Sequence, residues 1–227
     1  SQWQGWANLE HSIRTGESGT EKALGMSSWE YRAKNPDVAA IFDRAMTAIS
    51  RATASAVVNV YDFSQFQTVA DIAGGHGALL AVILSRFPAV RGVLFDQPHV
   101  VAGADELIRT AGVADRIEVV GGSFFEQVPA ADAYVLQHII HDWDDAASIE
   151  IVRTIRKATP DGAHLLVIER LIGPPNQTPE AKFSDLNMLV ALGGGRERTV
   201  EEFEAILSEG GFRFVAAHQA GTQHIVE

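Results

Sequence analysis

Cysteine is absent from the 227-residue chain. That excludes disulfides, thiolate nucleophiles, iron–sulfur clusters and Cys-ligated zinc together, and favours a reducing cytosol. Basic side chains are scarce: 18 Lys and Arg face 29 Asp and Glu, a formal charge of −11. Such a surface repels a phosphate backbone, so nucleic acid is not an expected partner. Long apolar runs are missing as well. The stretch 78–84 falls far short of the ~20 residues that span a bilayer, and no basic-then-apolar leader opens the chain, so no membrane partner is expected and the expected location is cytoplasmic. What is present is 46 % apolar and 21 % charged, the composition of a globular domain whose core needs no staples.

Trp3, Trp6, Leu9 and Ile13 recur at helical spacing and Gly16 is a stop signal, which predicts a short helix with an apolar stripe. The stripe needs a surface to lie on, and a preceding portion of chain is the expected source. Ser27 or Ser28 is placed to cap a second short helix. Asn35-Pro36-Asp37 reads as N-cap, Pro at the first helical position and acidic first turn, opening a long helix over 36–60 with Ile41, Phe42, Ala45, Met46, Ile49 and Ser50 as its inner face. From residue 68 onward short apolar runs at 69–73, 92–95, 117–120, 133–136 and 165–168 alternate with helical stretches. This is the pattern of βαβ units and a mostly parallel sheet covered on both faces, an α/β Rossmann-like arrangement. A helix from about 200 ends at Gly210-Gly211. The runs 212–217 and 224–226 follow it too closely for anything but an antiparallel hairpin. The division expected is a helical segment 1–60 and a ligand-binding domain 61–227.

In an open parallel sheet, ligands bind beyond the carboxyl ends of the strands, so the residues there matter most. After the first run comes Ala73-Gly74-Gly75-His76-Gly77, where a glycine bend lets backbone approach a ligand closely; a purely structural turn is the competing reading. Leu80 stands where a dinucleotide fingerprint wants a small residue, against a pyrophosphate cofactor. Asp96 ends the second run, 19 positions after Gly77, where an acid accepts ribose hydroxyls, although it can also simply cap the next turn. Gly121-Gly122-Ser123-Phe124-Phe125 follows the third run and suits a flat adenine ring, with Ser123 for a polar contact and Phe124 for stacking; a core role for both phenylalanines fits equally. The fourth run leads into Gln137-His138-Ile139-Ile140-His141-Asp142-Trp143-Asp144-Asp145 and the fifth into Glu169. Histidine is the side chain best matched to proton abstraction near neutrality, and a carboxylate fixes its tautomer. His141 is therefore the base candidate and Glu169 its orienter. His138 is a candidate wall of the site, and Asp144 and Asp145 read as a helix start rather than metal ligands.

Four ordered motifs, Asp71 to Gly77, Phe95 to Val100, Ile140 to Asp145 and Gly195-Arg196-Glu197-Arg198-Thr199, resemble the catalytic domain of S-adenosylmethionine-dependent O-methyltransferases of the caffeic-acid and acetylserotonin type, with their bacterial natural-product relatives. The likeness runs from Trp6 to the C-terminus. It implies S-adenosylmethionine as cofactor, held by Ala73, Gly74 and Gly75 with Asp96 on the ribose and Ser50, Ser123, Phe124 and Gln137 around the rest. It further implies His141 as general base flanked by Glu169 and Glu197, no metal, and a hydroxyl-bearing aromatic or polyketide-like acceptor against Met46, Met188 and Leu192. Three positions depart from the family pattern: Ser123 stands for an aspartate, Gln137 for a lysine or arginine, and Leu192 for an asparagine, the last hinting at a more apolar acceptor. Relatives usually carry a preceding helical domain that makes them homodimers and closes the acceptor pocket, and none of these 227 residues is expected to form it. Non-methylating chemistry on the same cofactor (hydroxylation or decarboxylation), a cofactor-binding module without catalysis, and a NAD-dependent dehydrogenase are the rival readings. Retention of His141 with both glutamates speaks against the first, and Leu80 with the final hairpin against the last.

Overall fold

The computed structural model describes residues 2–227. The chain opens with four short helices, α1 (Gln2–Trp6), α2 (Leu9–Thr15), α3 (Gly19–Leu24) and α4 (Ser28–Lys34), and the long α5 (Pro36–Val60). There follow β1 (Thr68–Ile72), α6 (Ala78–Arg86), β2 (Arg91–Asp96), α7 (Pro98–Val101), α8 (Asp105–Thr110), β3 (Ile117–Gly121), β4 (Ala133–Gln137), α9 (Asp145–Ala158), β5 (His164–Glu169), α10 (Pro179–Ala191), α11 (Val200–Glu209), β6 (Ala217–Ala220) and β7 (Gln223–Val226). No helix among the described residues is long and apolar enough to cross a membrane.

The seven strands form one sheet in the order β3-β2-β1-β4-β5-β7-β6. Six strands point the same way, β1 to β5 as parallel pairs; β7 alone runs against them, inserted between β5 and β6. Successive strand residues point to opposite faces, and both faces are covered. Val69, Leu94, Val135 and Leu166 join α5 and α6 in one core, while Ala70, Phe95, Tyr134 and Val167 join α9 and α11 in the other. Those four central runs are therefore continuously apolar. β3, at the edge, is half-exposed instead of buried.

Three expectations are corrected. The Trp-rich stretch is two helices, broken between Trp6 and Leu9, and what it buries is Gly5 and Ser12 rather than an apolar stripe. Trp3 and Ile13 are exposed. Its cover is α10: Trp6 stacks on Phe183 with centroids 5.6 Å apart and donates to Asn187 Oδ1 at 3.2 Å, and Ser18 donates to the Val190 carbonyl at 3.0 Å. Second, α5 has the expected bounds, but its buried face is Ala54, Val57 and Val58, all in its C-terminal half, leaving Ile41 and Ile49 exposed. Asn35 precedes it without a capping bond, because its side-chain amide donates back to Tyr31. Third, the first strand of the hairpin lies at 217–220, not 212–217. Phe212 and Phe214 pack as loop against the second core, and main-chain pairing there is limited to Val215 and Ala216 with Glu227.

Candidate functional site

The order reverses between β1 and β4, and the glycine loop, the Asp96 turn and the His141 turn all leave the carboxyl ends of adjacent parallel strands. The loop after β1 is built from unusual backbone. Ala73 has φ of 56° and Gly75 of 59°, the left-handed region that costs a residue with a Cβ. At Gly74 a Cβ would come within 2.6 Å of the Asp71 carboxyl carbon and 2.7 Å of Leu94, so only glycine lets the loop sit that close to the strands. Nothing lies within 4 Å of a Cβ built on Gly75, which leaves that backbone facing open space. Gly75 donates its N–H to Asp96 Oδ2 at 2.8 Å, and Gln97 donates to Oδ1 at 2.6 Å. Burial holds the Asp96 carboxyl above the usual carboxylate range despite those bonds.

Beneath the loop, Asp71 is buried, and its Oδ2 has no hydrogen-bond partner. Desolvation, then repulsion from Asp96, pushes it up to about 7. Such a charge is costly to bury unpaired, and it lies below a backbone cradle open to solvent, an arrangement suited to a cationic ligand.

The second half of the site is a 3₁₀ turn, Ile140–Asp142, after β4. His141 is 7 % exposed. Its Nδ1 lies 3.0 Å from Glu197 Oε1 and 3.2 Å from Glu169 Oε2, and its Nε2 3.5 Å from Asp142 Oδ1. Both glutamates are buried. Glu169, at the end of β5, accepts the main-chain N–H of Ile139 at 2.9 Å and of His141 at 3.3 Å, which fixes the turn. Glu197 is held by Ser184, whose hydroxyl donates to Oε1, and by its own N–H on Asp185 Oδ1 at 3.0 Å. Burial alone would push the imidazole down; attraction to Glu169, then the bond to Glu197 and the charge of Asp142, outweigh it and raise His141 to about 10. Desolvation raises Glu169 to about 7 and Asp142 to about 6. His141, Glu169 and Glu197 each offer a donor atom within 4.8 Å of the others, the spacing of a cation site, and the imidazolium supplies the positive charge that two buried carboxylates need.

The remaining residues singled out in the sequence are placed as follows. Ser50 donates to Gln137 Oε1 at 2.6 Å, and Gln137 donates to Thr53 at 2.9 Å, tying α5 to the end of β4. Ser123 Oγ accepts the Phe125 N–H at 3.3 Å. Phe124 packs edge-on to Phe125 and Trp143, a cluster belonging as much to the core as to a binding face. Met46 is exposed on α5 and Met188 half-buried on α10, whereas Leu192 is buried where α10 ends, behind Gly195. His138 lies beside the base: its ring is parallel to that of His141 at 5.6 Å, and burial pushes it down to about 3, so it stays neutral. Asp144 caps α9. Sequence reasoning missed Ser184, Asp142 and Arg198. Arg198 is wholly buried and donates to the carbonyls of Ile140 and Trp143 on either side of His141.

The chain as a whole is similar to known proteins. The model of the O-methyltransferase domain family matches residues 6–213. The chain is 46 % identical to phenazine O-methyltransferase PhzM of Lysobacter antibioticus over 93 % of its own length and 62 % of that protein's. It is 42 % identical to the mitomycin biosynthesis 6-O-methyltransferase of Streptomyces lavendulae over 93 % and 60 %, so it spans about three-fifths of these relatives. The crystal structure of NcsB1, an O-methyltransferase from neocarzinostatin biosynthesis in complex with S-adenosylmethionine and 2-hydroxy-5-methyl naphthoic acid, superposes with a TM-score of 0.90 at 32 % identity, covering 99 % of this chain and 67 % of that one. With the matched model covering nearly all of its length, the chain belongs to the O-methyltransferase domain family.

Proposed function

We propose that the protein transfers a methyl group from S-adenosylmethionine to a hydroxyl of a small aromatic acceptor. The observation that carries this is the placement of His141 Nδ1 between two buried carboxylates, at the strand ends that also hold the glycine loop and Asp96. The residues present fit the cofactor: an open backbone cradle, an acid at the end of β2 for the ribose hydroxyls, and the buried Asp71 beneath for positive charge. Ala73, Gly74, Gly75 and Asp96 would hold it, with Phe124, Ser123, Gln137 and Ser50 at its flanks. When bound it supplies an electrophilic methyl carbon.

The chain's residues supply position and a place for the proton. A phenol with a pKa near ~10 is a poor nucleophile at neutral pH until its proton leaves. Glu169 and Glu197 both face Nδ1, which leaves Nε2 as the nitrogen turned to the acceptor hydroxyl, with Asp142 beside it. With both carboxylates ionised, His141 matches a phenol in basicity, so the proton moves between near-equal partners as the oxygen attacks. The cofactor, when bound, would bring a positive charge that disfavours the imidazolium, and Nε2 of the neutral ring is then the atom that accepts the proton. Met46 and Met188 are the acceptor-facing residues, the buried Leu192 acting from behind.

The test is product mass. Incubation with S-adenosylmethionine and a panel of phenols should add one CH₂ to an acceptor and release S-adenosylhomocysteine in equal amount; gain of oxygen or loss of CO₂ would show other chemistry, and binding without turnover a non-catalytic module.

A further inference from the structure

One cation beside the base takes no part in this arrangement. Arg32 on α4 is half-buried, its guanidinium carbon 4.4 Å from the ring centre of Trp29 and 4.1 Å from that of Phe42. Its backbone carbonyl is used in the helix end, but its guanidinium joins none of the hydrogen bonds or ion pairs of the described residues. Asp142 and Asp43 act on it electrostatically without reaching contact. Burial lowers its pKa against those two charges.

The location is specific. Trp29 lies parallel to Trp143 at 5.8 Å, and Trp143 adjoins Asp142, whose Oδ1 approaches His141 Nε2. Phe42 is one turn before Met46 and two before Ser50, so the three share one face of α5. The guanidinium thus lies over two aromatic rings, on the side of the proposed site marked by Asp142 and Met46. A planar cation with five donors, partly stripped of water and given no acceptor, is under-satisfied. Its fixed fork fits a carboxylate in two parallel bonds, which a point charge would not. Asp142, already engaged by the imidazole, repels any acid that does not bring its charge to the guanidinium.

We infer that Arg32 binds a carboxylate carried by the acceptor, so that the preferred substrate is a hydroxyaryl carboxylic acid with its hydroxyl toward His141 and its carboxylate toward Arg32. This rests on the proposed function and names its substrate class.

The experiment measures binding, apart from turnover. Hydroxylated benzoic and naphthoic acids, each paired with its primary carboxamide, are titrated calorimetrically into the chain saturated with S-adenosylhomocysteine. At least one acid should bind about tenfold or more tighter than its amide, the scale of a charge-assisted pair. Arg32→Gln should bring that acid down to its amide while leaving amide and S-adenosylhomocysteine affinity unchanged, and Arg32→Lys should keep part of the preference. The inference falls if no acid outbinds its amide in the unaltered chain, if Arg32→Gln weakens acid and amide alike, as a structural prop would, or if it weakens S-adenosylhomocysteine, whose own carboxylate would then be the partner. Mass analysis of the same acids with S-adenosylmethionine separates the two claims. Acids bound through Arg32 but not methylated would sink the proposed function alone; neutral phenols methylated without preference for acids would sink this inference alone.

Discussion

Ser184 donates its hydroxyl to Oε1 of Glu197 across 2.6 Å, and that oxygen is the one 3.0 Å from His141 Nδ1. One buried carboxylate oxygen thus serves a helix side chain and the imidazole, and the hydroxyl decides how it is aimed. Ser184→Ala leaves Glu197 with one neutral donor fewer, worth about 0.5–1.5 kcal/mol. The expected result is a kcat lowered about 2–10-fold with S-adenosylhomocysteine affinity unchanged, read from steady-state kinetics and a thermal shift. Unaltered kcat would show that Glu197 is held without it.

His141 itself is expected to be far less tolerant. His141→Ala should lower turnover about 10²–10⁴-fold, the usual worth of a placed base, and leave cofactor binding nearly intact, since the glycine loop and Asp96 do not touch the imidazole. Methylation at near the parental rate would remove it from the mechanism.

The acid limb of the pH profile reports on the carboxylates. Attraction to Glu169 and Glu197 outweighs burial and holds His141 up to about 10, so the free protein carries an imidazolium at pH 7, and kcat/KM should rise with pH well above the ordinary histidine range. Removing a carboxylate charge makes the imidazolium easier to lose. Glu169→Gln should therefore move the limb lower by about 1–3 pH units, even as misorientation reduces the plateau. A limb that stays in place would mean that Glu169 acts only by holding the turn.

Much of this was legible before any coordinates. The four central strands were readable because both faces are buried, so each is an unbroken apolar run bounded by turn residues. The glycine bend, Asp96 and His141 were readable because they follow those runs directly. The hairpin slipped because Phe212 and Phe214 are apolar enough for a strand yet are buried from a loop, a distinction periodicity does not carry. The exposed half of α5 misled for the converse reason: Ile41 and Ile49 look like a core face, but the helix buries only residues of its C-terminal half. Ser184 was beyond reach, since its partner lies 13 positions away and no local pattern marks it; Arg198 stands in the fourth motif, but the carbonyl it holds lies 58 positions away, so its role was hidden.

Asp71 ties stability to binding. Its carboxyl is raised by burial, then by Asp96, from 3.8 to about 7. A carboxyl held above its unfolded value makes ionisation unfavourable to the fold, a cost that begins above pH ~4 and is complete above ~7. Asp71→Asn can keep the acceptor facing Leu80 without the charge, so the variant should melt higher than the parent at pH 8, by a few kcal/mol in order of magnitude, and converge with it near pH 4. The same change should weaken cofactor binding, because the negative charge under the glycine loop is gone. A variant no more stable at pH 8 than at pH 4, relative to the parent, would show that the carboxyl is solvated in solution.

Arg198 anchors the catalytic turn from inside. Its guanidinium, fully buried, donates to Ile140 O at 2.9 Å, to Trp143 O at 2.7 Å and to Asp145 Oδ1 at 2.9 and 3.0 Å. The two carbonyls bracket His141, so one side chain sets the path of the backbone that presents the imidazole. Arg198→Met fills similar volume but removes the donors to both carbonyls; Ile140 O keeps the Trp143 N–H and Asp145 keeps Arg196, so Trp143 O is the group left bare, a loss of about 1–3 kcal/mol, or about 2–12 °C in melting temperature for a chain of this size. Stability and activity can be separated by assaying well below the melting point. If Arg198 acts only on stability, kcat per folded molecule is unchanged there. If it shapes the turn, kcat falls while S-adenosylhomocysteine affinity holds, and Arg198→Lys, which keeps the charge but not the fork, falls between. The geometry of the two carbonyls leads to the second outcome.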